Sequence, residues 1–341
     1  MILGVPRGKK FYARDARCAS KGLGGRSYVP IRRWGTIGSP RGKKSAALNS
    51  FLFFAMRCSI PCDRGLGLFA EHFMGHTRLG EVPKTRKWNE LVRQVAGRGM
   101  SGGAFPAAAS VGAIAARTLD AAQRGLDRAI DDPGVRYTFF LLTQVALASR
   151  TSDWEAALGE HGIRLSDDST IFDFTVELHG AIDRYISRNS SGATDLSEIA
   201  QQSAGEALTS LAGVRALNLF DGNKEQLQKA IRTLSTKKGF GELGQRFFGR
   251  FVARFLNFYL SRITASALGS PRLPDVGDVA LFNDALRSHC DQSARIVRDF
   301  CGEWYSKTEY QKGINLENTS GFLAIALKKL RGELGQQKDT L

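Results

Sequence analysis

Three arginines at helical spacing are the residues whose arrangement points most directly to a chemistry. Arg246, Arg250 and Arg254 recur every four residues and would form one ridge along a helix, with Arg262 eight positions further on. Guanidinium groups about 6 Å apart suit contacts to successive phosphates, and such binding weakens as the salt concentration rises. The ridge is therefore a candidate nucleic-acid-binding surface.

The same segment supports a second interpretation, in which the arginines serve only the fold. Aromatic and aliphatic residues lie between them: Phe247, Phe248, Phe251, Phe255, Leu256 and Tyr259. The arginine stems could cover these rings while the guanidinium groups pair with carboxylates of neighbouring helices. Binding to a membrane surface is a third alternative, but so broad an apolar face is more typical of a protein core.

A cysteine segment is the second candidate for chemistry. Ser288, His289, Cys290 and Asp291 are consecutive, and Cys301 follows Cys290 by eleven residues. A nucleophilic cysteine needs a base beside it in space, whereas consecutive residues on a helix point in different directions. The two cysteines are also about three helical turns apart, too far to ligate one metal from a straight helix. We expect two buried structural cysteines, with no catalytic residue and no metal site.

Two further polar segments resemble known sites only in part. Asp173, Glu177, His179 and Asp183 are acidic or metal-ligating in type, but a di-metal bundle requires Glu-x-x-His on two helices. The glycine-rich loop 97–103 lacks the lysine of a phosphate-binding P-loop. We interpret the first as a polar helix face and the second as a linker, and we expect no cofactor.

A cluster near the C-terminus is the candidate for binding a partner protein. Trp304, Tyr305 and Tyr310 lie close together with Lys307 at the end of a predicted helix. Aromatic residues carry much of the energy of protein interfaces, so this cluster could anchor a partner. Alternatively, it could join one helix to the next within the core.

Helices must position all of these residues, because period-3.6 patterns dominate and strand patterns are scarce. The sequence predicts an all-α bundle of nine or ten helices. Helix starts are indicated at Asp132-Pro133, Ser152 and Asp195 by capping residues. The longest predicted helices are 105–130, 240–268, 276–305 and 318–334. No window of 18 apolar residues is present, so we expect no membrane span.

The charge distribution divides the chain. The whole sequence carries a net charge of +15, and +11 of this falls in residues 1–73, which contain only three acids. This segment shows little periodicity, and we predict that it is poorly structured. It is interpreted as non-native translation upstream of the true start, as a nucleic-acid-binding arm or as a targeting peptide. Residues 74–341 are predicted to form one helical domain, with a potential subdivision at 189–194.

The functional expectation follows from these patterns. No motif matches a named family, although an all-α body without a catalytic motif resembles accessory proteins of bacterial multigene systems such as phage-defence loci. We expect a non-enzymatic subunit or adaptor that contacts proteins encoded in the same locus. The alternatives are DNA or RNA binding by the arginines, and an enzyme whose site is assembled from distant residues. Two cysteines after residue 73 give no disulfide framework, which predicts a cytoplasmic location.

The first prediction concerns the start of the native protein. If translation begins near Met74, peptide mapping of protein expressed from its own promoter will yield no peptide from residues 1–73. The same mapping on protein expressed from the full reading frame is the control, because it must yield those peptides. Detection of them in the native sample would contradict the prediction.

Overall fold

The computed structural model describes residues 79, 83–96, 108–190, 192–213, 223–270 and 273–336, with residues 108–110 described by their backbone alone. The predicted basic segment 1–73 and the glycine-rich loop 97–103 lie outside these ranges. Within them the prediction of an all-α fold is confirmed, since the chain forms helices and no strand.

Twelve α-helices and one short 3₁₀ helix make up the described part of the chain. Their bounds are α1 Arg86–Val95, α2 Ala108–Ala121, α3 Gln123–Asp131, α4 Pro133–Ala148, α5 Trp154–Gly159, α6 Ile171–Asn189, α7 Asp195–Ala212, α8 Lys224–Arg232, the 3₁₀ turn Thr233–Ser235, α9 Lys237–Ala267, α10 Val276–Ser293, α11 Arg295–Lys312 and α12 Leu316–Gln336.

The helix count exceeds the expected nine or ten because two predicted helices are each divided. The predicted helix 105–130 divides at Ala122, where φ −97° and ψ 11° leave the helical range. The predicted helix 276–305 divides at Ala294, which is buried and has a ψ of −7°. A β-carbon at Gly249 of α9 would lie 3.4 Å from that of Ala294, so this bend follows the surface of α9.

Side-chain caps begin most helices near the predicted positions. Asp132 accepts a hydrogen bond from the backbone N–H of Val135 (2.9 Å), and Pro133 is the first residue of α4. The cap of α7 is Thr194 rather than Asp195, and its hydroxyl donates to Asp132 (2.6 Å). The starts of α4 and α7 are thereby joined through one carboxylate.

The core is an aromatic cluster around α9. The ring of Phe139 on α4 has five aromatic neighbours at centroid distances of 5.2–6.2 Å: Phe240, Phe247, Phe248, Trp304 and Phe322. Residues before and after 189–194 contribute to this one core. None of the described helices combines the length and the apolar character that crossing a membrane requires.

Glycines allow α9 and α11 to cross at very short distance. A β-carbon at Gly302 of α11 would lie 2.2 Å from the carbonyl oxygen of Lys237, and one at Gly241 of α9 would lie 2.6 Å from the carbonyl oxygen of Arg298. Both obstacles are backbone atoms, which cannot rotate away. The crossing therefore requires glycine at both positions.

We predict that Gly302→Ala destabilises the fold by about 1–3 kcal/mol, because the added methyl group must separate two packed helices. The measurement is the urea midpoint by far-UV circular dichroism. Gly332→Ala in α12 is the matched control, since nothing lies within 4 Å of its added β-carbon. It should stabilise the helix by roughly 0.5–1 kcal/mol. Equal midpoints for Gly302→Ala and the parent would contradict the close crossing.

Candidate anion-binding site

The predicted arginine ridge lies along the side of α9 that faces α7 and α10. There the arginines meet Glu206 of α7 and Asp291 of α10, and a further arginine, Arg287 of α10. We call the set of Arg246, Arg250, Arg254, Arg287, Glu206 and Asp291 the arginine cluster. Three helices thus contribute to one polar site.

Arg250 is the centre of the cluster, and only 12% of its side chain is exposed. Its Nε lies 3.0 Å from Glu206 Oε1, and its Nη1 lies 3.2 Å from Asp291 Oδ2. Arg246 Nη1 lies 3.0 Å from the same Asp291 oxygen. Arg254 Nη2 donates to Glu206 Oε2 at 2.8 Å, and Arg287 also pairs with Glu206. Each carboxylate therefore serves more than one guanidinium group.

These ion pairs leave hydrogen-bonding capacity unused. The buried Nε and Nη1 of Arg250 lie within ion-pair distance but make no hydrogen bond, and Asp291 Oδ1 has no hydrogen-bond partner. Burial lowers the pKa of Arg250, and burial also raises the pKa of Asp291, against the opposing effect of Arg250 and Arg246. Both shifts mean that the pairing only partly offsets the loss of water.

Two cavities open onto the cluster. One of about 440 Å³ is lined by Arg246, Arg250, Arg287 and Asp291 together with Asp284 and Arg295. A smaller one of about 160 Å³ is lined in part by Asn257 and Asn283, whose buried side-chain oxygens lack a hydrogen-bond partner. Polar ligands could therefore reach the cluster from solvent.

The fourth predicted nucleic-acid contact, Arg262, lies apart from the cluster. Its guanidinium carbon is 5.2 Å from the centre of the Phe258 ring, and Arg262 lines neither cavity. The structure brings together Arg246, Arg250 and Arg254, and it adds Arg287, Glu206 and Asp291, which sequence reasoning did not assign to this site. Charge spacing within one helix could not indicate those partners, which are distant in sequence.

The four residues predicted to bind a partner have different surroundings. Tyr305 is fully buried and stacks on Phe240 with ring centroids 4.0 Å apart. Trp304 is half-buried and stacks on Phe322 at 4.3 Å. Lys307 is exposed, and Tyr310 is 91% exposed. Only Lys307 and Tyr310 therefore offer an open surface, while the two stacked rings join α11 to α9 and α12.

The cysteine segment contributes its aspartate rather than its cysteine to the site. Cys290 and Cys301 are free thiols with no exposed surface, and burial raises the pKa of both. Such thiols are poor nucleophiles at neutral pH. His289 makes no hydrogen bond through its buried Nε2, and burial lowers its pKa. Asp291 is the member of the segment that faces the arginines.

The polar residues of α6 are engaged in local structure. Asp173 closes the cap of α6 by accepting from Thr170, whose backbone N–H lies 2.8 Å away. His179 Nε2 and the carbonyl oxygen of Gln201 are 3.0 Å apart, and the Gln201 side chain donates to Asp183 at 2.9 Å. Within the described ranges, no group of three or more histidine, cysteine or acidic residues could hold a metal ion.

Comparisons of the chain with protein-family models, with curated proteins and with solved structures found no match. Side-chain geometry and charge are therefore the basis for inferring the function of this chain. Among the positions singled out in the sequence, the arginine cluster is the one where charged groups from three helices meet beside open cavities.

We predict that Glu206→Gln destabilises the fold by roughly 2 kcal/mol, below the 3–5 kcal/mol of a fully buried ion pair. The substitution keeps the side-chain shape but removes the charge that Arg250, Arg254 and Arg287 share. Chemical denaturation in urea at low salt measures the effect.

The control for this experiment is Glu303→Gln. Glu303 pairs with Lys237 at 3.1 Å, and the two side chains are 65% and 59% exposed. Loss of this pair should change stability by at most about 0.5 kcal/mol. If the two variants lose equal stability, the arginine cluster does not depend on Glu206.

Proposed function

We propose that this chain is a non-enzymatic helical subunit or adaptor that binds an acidic segment of a partner protein at the arginine cluster. The supporting observation is the unequal charge of the cluster, in which four guanidinium groups share two carboxylates. A ligand that brings one or two negative charges would neutralise the excess. Carboxylates also match the planar fork of arginine in geometry.

Access to the excess charge supports the proposal. The side chains of Arg246, Arg254 and Arg287 are 37%, 36% and 46% exposed, so each keeps some surface that a ligand can contact while its present ion pair stays in place. The existing ion pairs already restrict these side chains, which reduces the conformational entropy lost on binding. Clusters of this kind are a recurrent means of recognising acidic motifs.

The exposed side of α10 adds an apolar contact next to the charged one. Val276 and Leu281 are 69% and 67% exposed. Leu281 lies about one turn before Asp284, which lines both cavities of the cluster. This arrangement suits a partner segment that carries a hydrophobic side chain next to carboxylates, because the apolar anchor contributes affinity and the charges contribute register.

Nucleic-acid binding is the second candidate, and the same three exposed arginines favour it. Phosphates would then replace the carboxylates of the partner. One observation weighs towards the acidic protein segment. Arg262 does not extend the ridge, so the cations form a compact cluster rather than the line that a continuous phosphate backbone would follow.

The genetic origin of the partner protein stays a prediction. We expect it to be encoded in the same locus, in a bacterial multi-protein system of the phage-defence kind. Tagged chain expressed from its native locus should therefore copurify with a neighbouring gene product. The chain recovered alone from such cells would contradict the adaptor role.

We predict that Arg246→Gln, Arg254→Gln and Arg287→Gln, combined, weaken binding of a fluorescent oligoglutamate peptide roughly 10-fold or more. Each lost charge-assisted hydrogen bond removes affinity, while Arg250 stays in place to hold the fold. Fluorescence anisotropy with the full chain across a salt series is the measurement, with labelled DNA and RNA of similar length beside the peptide.

The matched control replaces three exposed arginines elsewhere, Arg117, Arg124 and Arg232, with glutamine. It removes the same net charge and should leave peptide binding close to that of the parent. Equal loss in both triple variants would show that only overall charge matters, which contradicts a specific site. Cluster-dependent binding of DNA or RNA without peptide binding would favour the second candidate instead.

A further inference from the structure

Another cavity, of about 530 Å³, lies between α4, the segment that joins α5 to α6, and the second half of α6. It shares no lining residue with the cavities of the arginine cluster. Cavities of about 300–1,000 Å³ hold small-molecule ligands in proteins.

Arg184 lines this cavity and is positioned by contacts with the segment before α6. Its Nη2 donates to the carbonyl oxygen of Gly162 at 2.6 Å, and Glu177 lies 4.0 Å from the same nitrogen. The guanidinium group lies over two glycines, because a β-carbon at Gly162 would be 3.4 Å from it and one at Gly180 would be 3.0 Å from it. Gly162 also has a φ of +81°, which disfavours other residues there. These contacts favour one position for the guanidinium group at the cavity.

Two further arginines give the cavity an excess of positive charge. Arg164 and Arg188 line it and are exposed, and no described residue pairs with either guanidinium group. The acidic lining residues are Glu160 and Glu177, so three cations face two anions. A phosphate group carries the charge and the acceptor oxygens that these donors lack.

The cavity lining also includes aromatic side chains. Tyr137 of α4 and Tyr185 of α6 stack with centroids 3.7 Å apart and planes 1° from parallel, and neither hydroxyl has a hydrogen-bond partner among the described residues. His161 packs its ring edge-to-face on Phe140 at 5.9 Å, and its nitrogens are also without a described partner. Burial lowers the pKa of His161, so at neutral pH its ring offers one donor and one acceptor. The hydroxyls and the His161 nitrogens suit the polar edge of a planar heterocyclic ligand, and the aromatic rings suit its face.

We propose that this cavity binds a nucleoside monophosphate, with its phosphate at Arg184, Arg164 and Arg188 and its base beside the Tyr137–Tyr185 pair. The arginines recognise the phosphate, the partly exposed ring of Tyr185 recognises the base by stacking, and the two tyrosine hydroxyls and His161 recognise it by hydrogen bonds. The site is independent of the arginine cluster and does not rest on the function proposed for it.

Isothermal titration calorimetry on the full chain tests this assignment. The ligands are AMP, GMP, CMP and UMP, with the four corresponding nucleosides and inorganic phosphate as comparisons. At least one monophosphate should bind roughly 10-fold or more tightly than its nucleoside and than phosphate, because the arginines and the aromatic side chains both contribute. Phosphate binding as tightly as every nucleotide would overturn the aromatic half of the site, and no binding by any nucleotide would overturn the proposal.

Variants separate the site from the fold. Arg184→Gln should weaken nucleotide binding roughly 10- to 100-fold. Because Arg184 also contacts Gly162, Arg188→Gln is the second variant: its side chain is exposed and should lower affinity without changing the circular dichroism spectrum. Arg232→Gln and the triple variant of the arginine cluster should bind nucleotide like the parent. Unchanged affinity in both Arg184→Gln and Arg188→Gln would place any bound nucleotide elsewhere.

Discussion

The burial of α9 is the constraint on which the rest of this structure depends. Its 31 residues pack against α7, α10 and α11, and several of its phenylalanines have no exposed surface. One side of the helix nevertheless carries arginines. Since a buried charge is costly unless it is paired, α7 and α10 must bring Glu206 and Asp291 to that side. Apolar packing thus determines which helices surround α9, and charge pairing determines how two of them are turned.

Local chemistry made most of the fold predictable. Helical spacing identified the apolar face of α9, and Asp132 with Pro133 identified the start of α4, because both signals depend on a few adjacent residues. The bend at Ala294 was not predictable in this way. No glycine or proline marks it, and it arises where α10 and α11 follow the surface of another helix.

For the arginine cluster, the sequence predicts the arginines of α9 but not the residues that they contact. Four-residue spacing places Arg246, Arg250 and Arg254 on one ridge, but it carries no information on what the ridge faces. Asp291 follows Cys290 in the sequence, and that position does not indicate that its carboxylate pairs with the arginines. No local pattern marks Glu206 as a partner of the arginines. The role of Tyr305 is also not determined by its position in the sequence. A ring in an amphipathic helix can serve an interface or a core, and its stacking on Phe240 depends on the helix crossing.

The two buried thiols have a practical consequence. Cys290 and Cys301 are fully enclosed, and the Cys301 Sγ contacts the carbonyl oxygen of Phe240 at 3.8 Å, within the aromatic core. An alkylating reagent can reach them only when helices separate, so their rate of modification under native conditions reports how often the core opens. The molecule therefore carries its own probe of opening at two adjoining helices, α10 and α11, and site-resolved mass spectrometry would show whether the two open together or in turn.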